Sequence, residues 1–93
     1  MPIIALTLRF QLPGCRSLKE KRGRLRRLSD HFGRDPNIAL HESALHDQWQ
    51  RAEWTFVLVG GDRRILDARR AAIETYCRQL DAYVTDSQCR ELA

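Results

Sequence analysis

From Ile3 to Leu12 the apolar side chains fall on every second residue, with Ile4, Leu6, Leu8, Phe10 and Leu12 on one side and Thr7, Arg9 and Gln11 on the other. A period of two over this length specifies a strand with one buried face and one wet face. Whatever packs on the strand has to come to the even-numbered side. Pro13-Gly14 stops it, and Ser17 followed by Glu20 forms a capping-box pair at the head of an apolar-periodic run, which predicts a helix from about Leu18 to Phe32. Gly33, Asp35 and Pro36 end that helix. Asn37 to Ser43 reads as a second strand with Ile38 and Leu40 on one face, residues 44–50 as a longer connection, and Arg51 to Val59 as a third strand. In the third strand Trp54, Phe56 and Leu58 alternate with Thr55, Val57 and Val59, and we take the first set as the inward one. Gly60-Gly61 turns the chain, Asp62 is placed to cap a second helix reaching about Leu80, and Asp81 to Asp86 supplies a last short strand through Tyr83.

With right-handed crossovers, the order strand, helix, strand, strand, helix, strand gives a ferredoxin-like α+β fold: a four-stranded antiparallel sheet with both helices on one face. The 93 residues suit one domain spanning 1–93. An apolar fraction of 43% beside 30% charged residues is the composition of a folded chain rather than a disordered one. No apolar run is longer than that from Phe56 to Val59, which is far below the roughly 20 residues of a membrane span. The first residues carry no basic leader, so we expect a cytoplasmic protein without membrane association. Cys15, Cys77 and Cys89 are odd in number and form no CxxC pair, which fits a reducing compartment.

Charge is distributed unevenly. Sixteen basic residues, fourteen of them Arg, face twelve acidic ones for a net +4. Residues 16–27 hold seven basic side chains against Glu20 alone, a local +6 that leaves the rest of the chain at about −2. The guanidinium fork suits phosphate and carboxylate, and a concentrated basic segment on a nearly neutral body is the footprint of a polyanion partner such as RNA. We take Arg16, Lys19, Lys21, Arg22, Arg26 and Arg27 as candidate phosphate or nucleic-acid contacts, helped by the free N–H groups and positive dipole end of the helix start. At about 100° per residue, Leu18, Leu25, Leu28 and Phe32 share one arc, and Lys21 falls inside it. Burying its ammonium is costly. Either its stem snorkels past the sheet edge or the first turn projects beyond the core.

Other chemistries fit less well. Cys15 stands beside Arg16 just before a helix start, a position at which thiols are activated, but no histidine is near it in sequence. An RNA-recognition motif needs open-face aromatics on both central strands; the first strand offers none in that phase, and Trp54, Phe56 and Leu58 are assigned to the core. An acylphosphatase shares this fold and cradles phosphate with an arginine after the first strand, as Gly14 and Arg16 suggest, but it also needs an amide on strand three. The one asparagine is Asn37, on strand two. His41, Glu42, His46 and Asp47 are metal-ligand residue types without HExxH spacing, so we expect no metal and no cofactor, and no catalytic residue is assigned. Asp47, Trp49 and Gln50 cluster on the connection between strands two and three, where an aromatic anchors a partner or lies over the sheet edge. The face opposite the helices presents Ile3, Ala5, Thr7, Thr55, Val57 and Val59. We expect a homodimer to cover this small, partly apolar patch, with strand-edge pairing as the other route.

The run Leu12-Pro13-Gly14-Cys15-Arg16-Ser17-Leu18-Lys19-Glu20-Lys21-Arg22 resembles the LPG-x-RSLKEKR motif of the small bacterial YlxP-like family (domain of unknown function 503). Asp47-Gln48-Trp49-Gln50-Arg51-Ala52 and Asp62-Arg63-Arg64 are further matches, and the likeness covers nearly the whole chain. The sequence departs from the family pattern at Arg69, where an aliphatic is usual, and at Trp54 and Phe56, which replace smaller aliphatics. The resemblance implies a ferredoxin-like fold, no assigned activity, and genes lying beside those for translation initiation and ribosome maturation. With the basic helix, it leads us to expect a noncatalytic RNA-associated or ribosome-associated small protein rather than an enzyme. The alternative is a protein-interaction or dimerisation module that binds an acidic protein partner.

Overall fold

The alternating first strand lies inside the sheet, with a neighbour hydrogen-bonded along each edge. The computed structural model describes residues 1–93. Its elements are β1 (Ile3–Gln11), α1 (Leu18–Phe32), β2 (Ile38–Ala44), β3 (Arg51–Val59), α2 (Arg63–Cys77) and β4 (Tyr83–Glu91), and the sheet runs β2-β3-β1-β4, antiparallel throughout. Across the β1–β3 ladder Ile4, Leu6, Leu8 and Phe10 face Leu58, Phe56, Trp54 and Ala52. Directly opposed residues share a face of the sheet, so these eight side chains make one inward surface. Leu25, Leu28 and Phe32 of α1 and Leu66, Ile73 and Cys77 of α2 join the same core. Both helices therefore cover one face, and the fold is ferredoxin-like.

Phe32 meets Phe56 edge-on at 5.7 Å and Tyr76 at 5.1 Å between ring centroids, tying α1 to the sheet and to α2 at once. Phe56 thus fills space under α1. Cys77 lies in this interior, where burial pushes its thiol up to about 12, and it serves as a small packing residue.

Local chemistry sets the helix ends. Ser17 Oγ accepts the Glu20 amide at 3.0 Å, but the capping box is half made, because the Glu20 carboxylate turns to Arg24 at 2.9 Å. Asp62 caps α2 by accepting the Ile65 amide at 3.0 Å. α2 stops at Cys77 rather than Leu80: the Gln79 and Leu80 amides bond back to the Tyr76 and Cys77 carbonyls, a tight turn that tucks Leu80 into the core. β4 runs to Glu91, well beyond the expected Asp86. Only Val84 of that strand is even partly buried, so the backbone ladder to β1 specifies it rather than any apolar pattern. No helix is long and apolar enough to cross a membrane.

Arg69 has a partner that explains its presence on α2. Its guanidinium pairs with Asp35 in the turn between α1 and β2, joining the second helix to the far end of the first. The Asn37 amide and then Arg69 hold the Asp35 carboxyl below the usual carboxylate range. A carboxyl depressed in the folded state stabilises the fold fully above its unfolded value, about pH 4, and that contribution is lost as pH falls through the folded value. Asp35→Asn is accordingly expected to lower stability at pH 7 by about 1 kcal/mol or less, given the solvent screening of a partly exposed pair. The difference from the parent should close below about pH 4 when urea melts are compared across pH.

Candidate functional site

Lys21 organises the end of the molecule where the segments 12–22 and 47–52 meet. It is 2% exposed. Its ammonium donates to the carbonyls of Leu45 at 3.0 Å, Arg51 at 3.2 Å and His46 at 3.4 Å. Glu42 Oε2 lies 2.9 Å from Nζ, the shortest of the four contacts, so the three protons of the ammonium are shared among three carbonyls and a carboxylate. Leu45 takes a left-handed φ of 64°, costly for a leucine by about 1–2 kcal/mol, and its carbonyl accepts the shortest of the three carbonyl bonds.

Lys21 is thus neither snorkelling past the sheet edge nor on a projecting turn, and its place among the phosphate contacts is corrected here: the ammonium is spent inside the protein. Gln50 completes the lock. Its side chain donates to the Cys15 carbonyl at 3.3 Å and its own carbonyl accepts the Leu12 amide at 2.9 Å. The two longest motifs of the sequence therefore pack on each other, the first after β1 and the second before β3. Cys15 is buried here with Sγ donating to the Ser17 carbonyl at 3.4 Å, a structural placement.

The other basic residues divide by flank. Arg24 is consumed by Glu20, Asp81 and the Pro13 carbonyl, and Arg27 lies over the Tyr76 ring at 5.6 Å on the side facing α2. Lys19, Arg22 and Arg26 fall on the opposite flank, toward β2. All three are exposed, and none has a carboxylate within ion-pair distance, although Asp30 follows Arg26 by one turn. Arg16 is exposed in the loop before α1.

Between this flank and β2 runs a groove of about 700 Å³, lined by Lys19, Arg22, Arg26, Ser29, Glu42 and Trp54. Trp54 belongs to the inward face as expected, but it is only partly covered, and its buried Nε1–H has no acceptor. Glu42 and Trp54 are cross-strand partners. Neither was a site residue in the sequence reading. The available signal was the inward phase of β2, Ile38, Leu40 and then Glu42, which puts a carboxylate directly below the inward-facing Lys21.

The remaining candidates separate. Trp49 is 51% exposed and shares a shallow cleft of about 480 Å³ with Gln11, Asp47 and Gln50. The metal-type residues disperse: Glu42 faces the helices while its neighbour His41 faces the opposite side, and the His46 ring bonds the Glu42 carbonyl at 2.9 Å. On the open face Thr7, Thr55, Ser43, Glu53 and Arg9 form one hydrogen-bonded chain, with links of 2.7–3.1 Å. Ile3, Ala5, Val57 and Val59 occupy the other end of that face, opposed in pairs and half-buried.

Because Lys21 satisfies three carbonyls and a carboxylate at once, Lys21→Met is expected to cost about 3 kcal/mol or more in urea melts. Amide exchange should rise across residues 45–51. In whatever fraction stays folded, the salt dependence of polyanion binding should not change, since this ammonium reaches no ligand.

Among solved structures, the chain is similar to the crystal structure of a chlorite dismutase candidate, TA0507, with a TM-score of 0.56 and 15% identity over 98% of this chain and 42% of that one. It spans less than half of that protein's length. It is also similar to the solution structure of the SecDF periplasmic domain P4, with a TM-score of 0.44 and 22% identity over 97% of this chain and 88% of that one. At such identities the first likeness concerns the fold alone, and the second is too loose to add to it. No curated protein matches the sequence. The family model described as "Protein of unknown function (DUF503)" matches residues 3–89, and the chain belongs to that family.

Proposed function

We infer that this is a noncatalytic RNA-associated protein, acting on free RNA or on RNA within a ribosomal particle, that holds phosphates on the β2-ward flank of α1. One observation carries the reading: Lys19, Arg22 and Arg26 line up on one side of the helix, exposed and free of carboxylate partners, while Arg24, on another flank, is paired. Unpaired cations are the ones that release counterions to a polyanion. Arg16 extends the track toward the helix start, and Arg27 adds charge on the opposite side. Three free thiols, one of them exposed at Cys89, suit a cytoplasmic setting. Replacing Lys19, Arg22 and Arg26 with Gln should weaken binding to a single-stranded oligoribonucleotide and flatten the plot of log K against log salt by about 2, at roughly 0.7 per lost phosphate contact. An unchanged slope would remove the helix from the interface.

A second reading rests on a separate observation and is compatible with the first. The pairs Ile3–Val59 and Ala5–Val57, with exposed Ala39 beside them, leave an apolar end on the helix-free face, and a second copy of the chain would cover it as a homodimer. Light scattering over a dilution series is expected to give a dimer mass at tens of micromolar that Val57→Lys reduces to monomer. A dimer indifferent to that change would move the interface to an edge strand.

A further inference from the structure

The groove between α1 and β2 holds one unmet hydrogen-bonding demand beside a carboxylate. Trp54 Nε1–H is a buried donor with no acceptor, and the neighbouring Glu42 carboxylate is paired at one oxygen with Lys21, 2.9 Å away. They sit on opposed residues of the β2–β3 ladder. A buried donor left unpaired is costly, so a ligand that accepts from the indole gains there, and one that also donates to the carboxylate gains a second, charge-assisted bond. Above them stand Lys19, Arg22 and Arg26. Lys21 neutralises Glu42, so that carboxylate does not repel an anion, and Asp30 is the one remaining acidic side chain of the lining.

We propose that this groove receives one nucleotide of a single-stranded RNA, its base edge on Trp54 Nε1–H and Glu42 and its phosphate on Lys19, Arg22 and Arg26. The Watson–Crick edge of every base carries an acceptor and a donor, and in a duplex that edge is already occupied, so the floor selects unpaired strands. At about 700 Å³ the groove has the size of an ordinary small-ligand site and takes a single unit rather than a helix. Gly23 keeps one wall open, since a Cβ built there meets nothing within 4 Å. The proposal rests on the phosphate role of the helix flank and adds to it a site for one base.

The test measures polarisation of a labelled twelve-nucleotide RNA, single-stranded and as its duplex, at equal salt. The single strand should bind several-fold more tightly, against the order that charge density alone would give. Trp54→Phe keeps the ring and removes the donor, and should weaken single-strand binding about five- to tenfold while leaving duplex binding unchanged. Gly23→Phe, which fills the groove from an open helix position, should do the same and decides the matter if Trp54→Phe does not fold. Equal binding of both forms, or single-strand affinity indifferent to the folded variants, overturns the base site while leaving the phosphate reading standing. Absence of any salt-dependent binding overturns both. If a nucleoside 5′-monophosphate binds as tightly as the oligomer with the same response to the variants, the ligand is a free nucleotide and the RNA assignment falls.

Discussion

A single ammonium, that of Lys21, is taken out of water and held by three backbone carbonyls and a carboxylate. Desolvating such a charge costs several kcal/mol, returned only where the geometry supplies donors and acceptors in full. Here it does, and the consequences spread outward. Two of the carbonyls belong to the connection between β2 and β3 and the third to Arg51 at the head of β3, so the loop conformation, including the left-handed Leu45, is written around the lysine. The carboxylate belongs to β2, so the edge strand is fixed to the first helix. Gln50 then closes the same loop onto the turn after β1.

That lock explains why charge on α1 separates by direction. The helix is basic on all sides but the core, and a uniformly charged helix would have no reason to prefer one neighbour. The structure gives each flank a different fate. Toward the interior Lys21 is consumed by the loop; toward α2, Arg24 meets Asp81 and Arg27 stacks on Tyr76. Toward β2 the sheet ends at an edge strand, and the cations there face solvent and a groove. An exposed flank beside a sheet edge is where a polyanion can approach without displacing an internal contact.

The two faces of the sheet carry different kinds of polarity. On the open side the threonine, serine and Glu53 chain is satisfied internally, from Thr7 through Ser43 to Arg9, and so asks nothing of a partner. On the helix side, toward β2, the Trp54 indole N–H is left open. Polar groups of one chemical type thus differ in what they can recognise because some are already matched by neighbours.

The amino-acid sequence by itself determined the element order, both central strands, the extent of α1 and the side to which the helices come, because period-two and 3.6-residue apolar patterns report burial directly, as in Ile4, Leu6 and Leu8. It also marked the basic segment, since formal charge needs no coordinates. Tertiary structure alone decided the length of β4, whose polar residues are ordered by hydrogen bonds to β1 that no side-chain pattern records. The helix wheel set Lys21 inside the apolar arc, and tertiary structure alone decided what became of it: three carbonyls from residues 45–51 converge on its charge and none on that of Arg22. Arg69 and Trp54 follow the same rule. Asp35 meets the first across the molecule, and the second keeps an unpaired N–H because no acceptor of α1 or β2 reaches it. Partners distant in sequence settle the fate of a polar group, and periodicity carries no information about them.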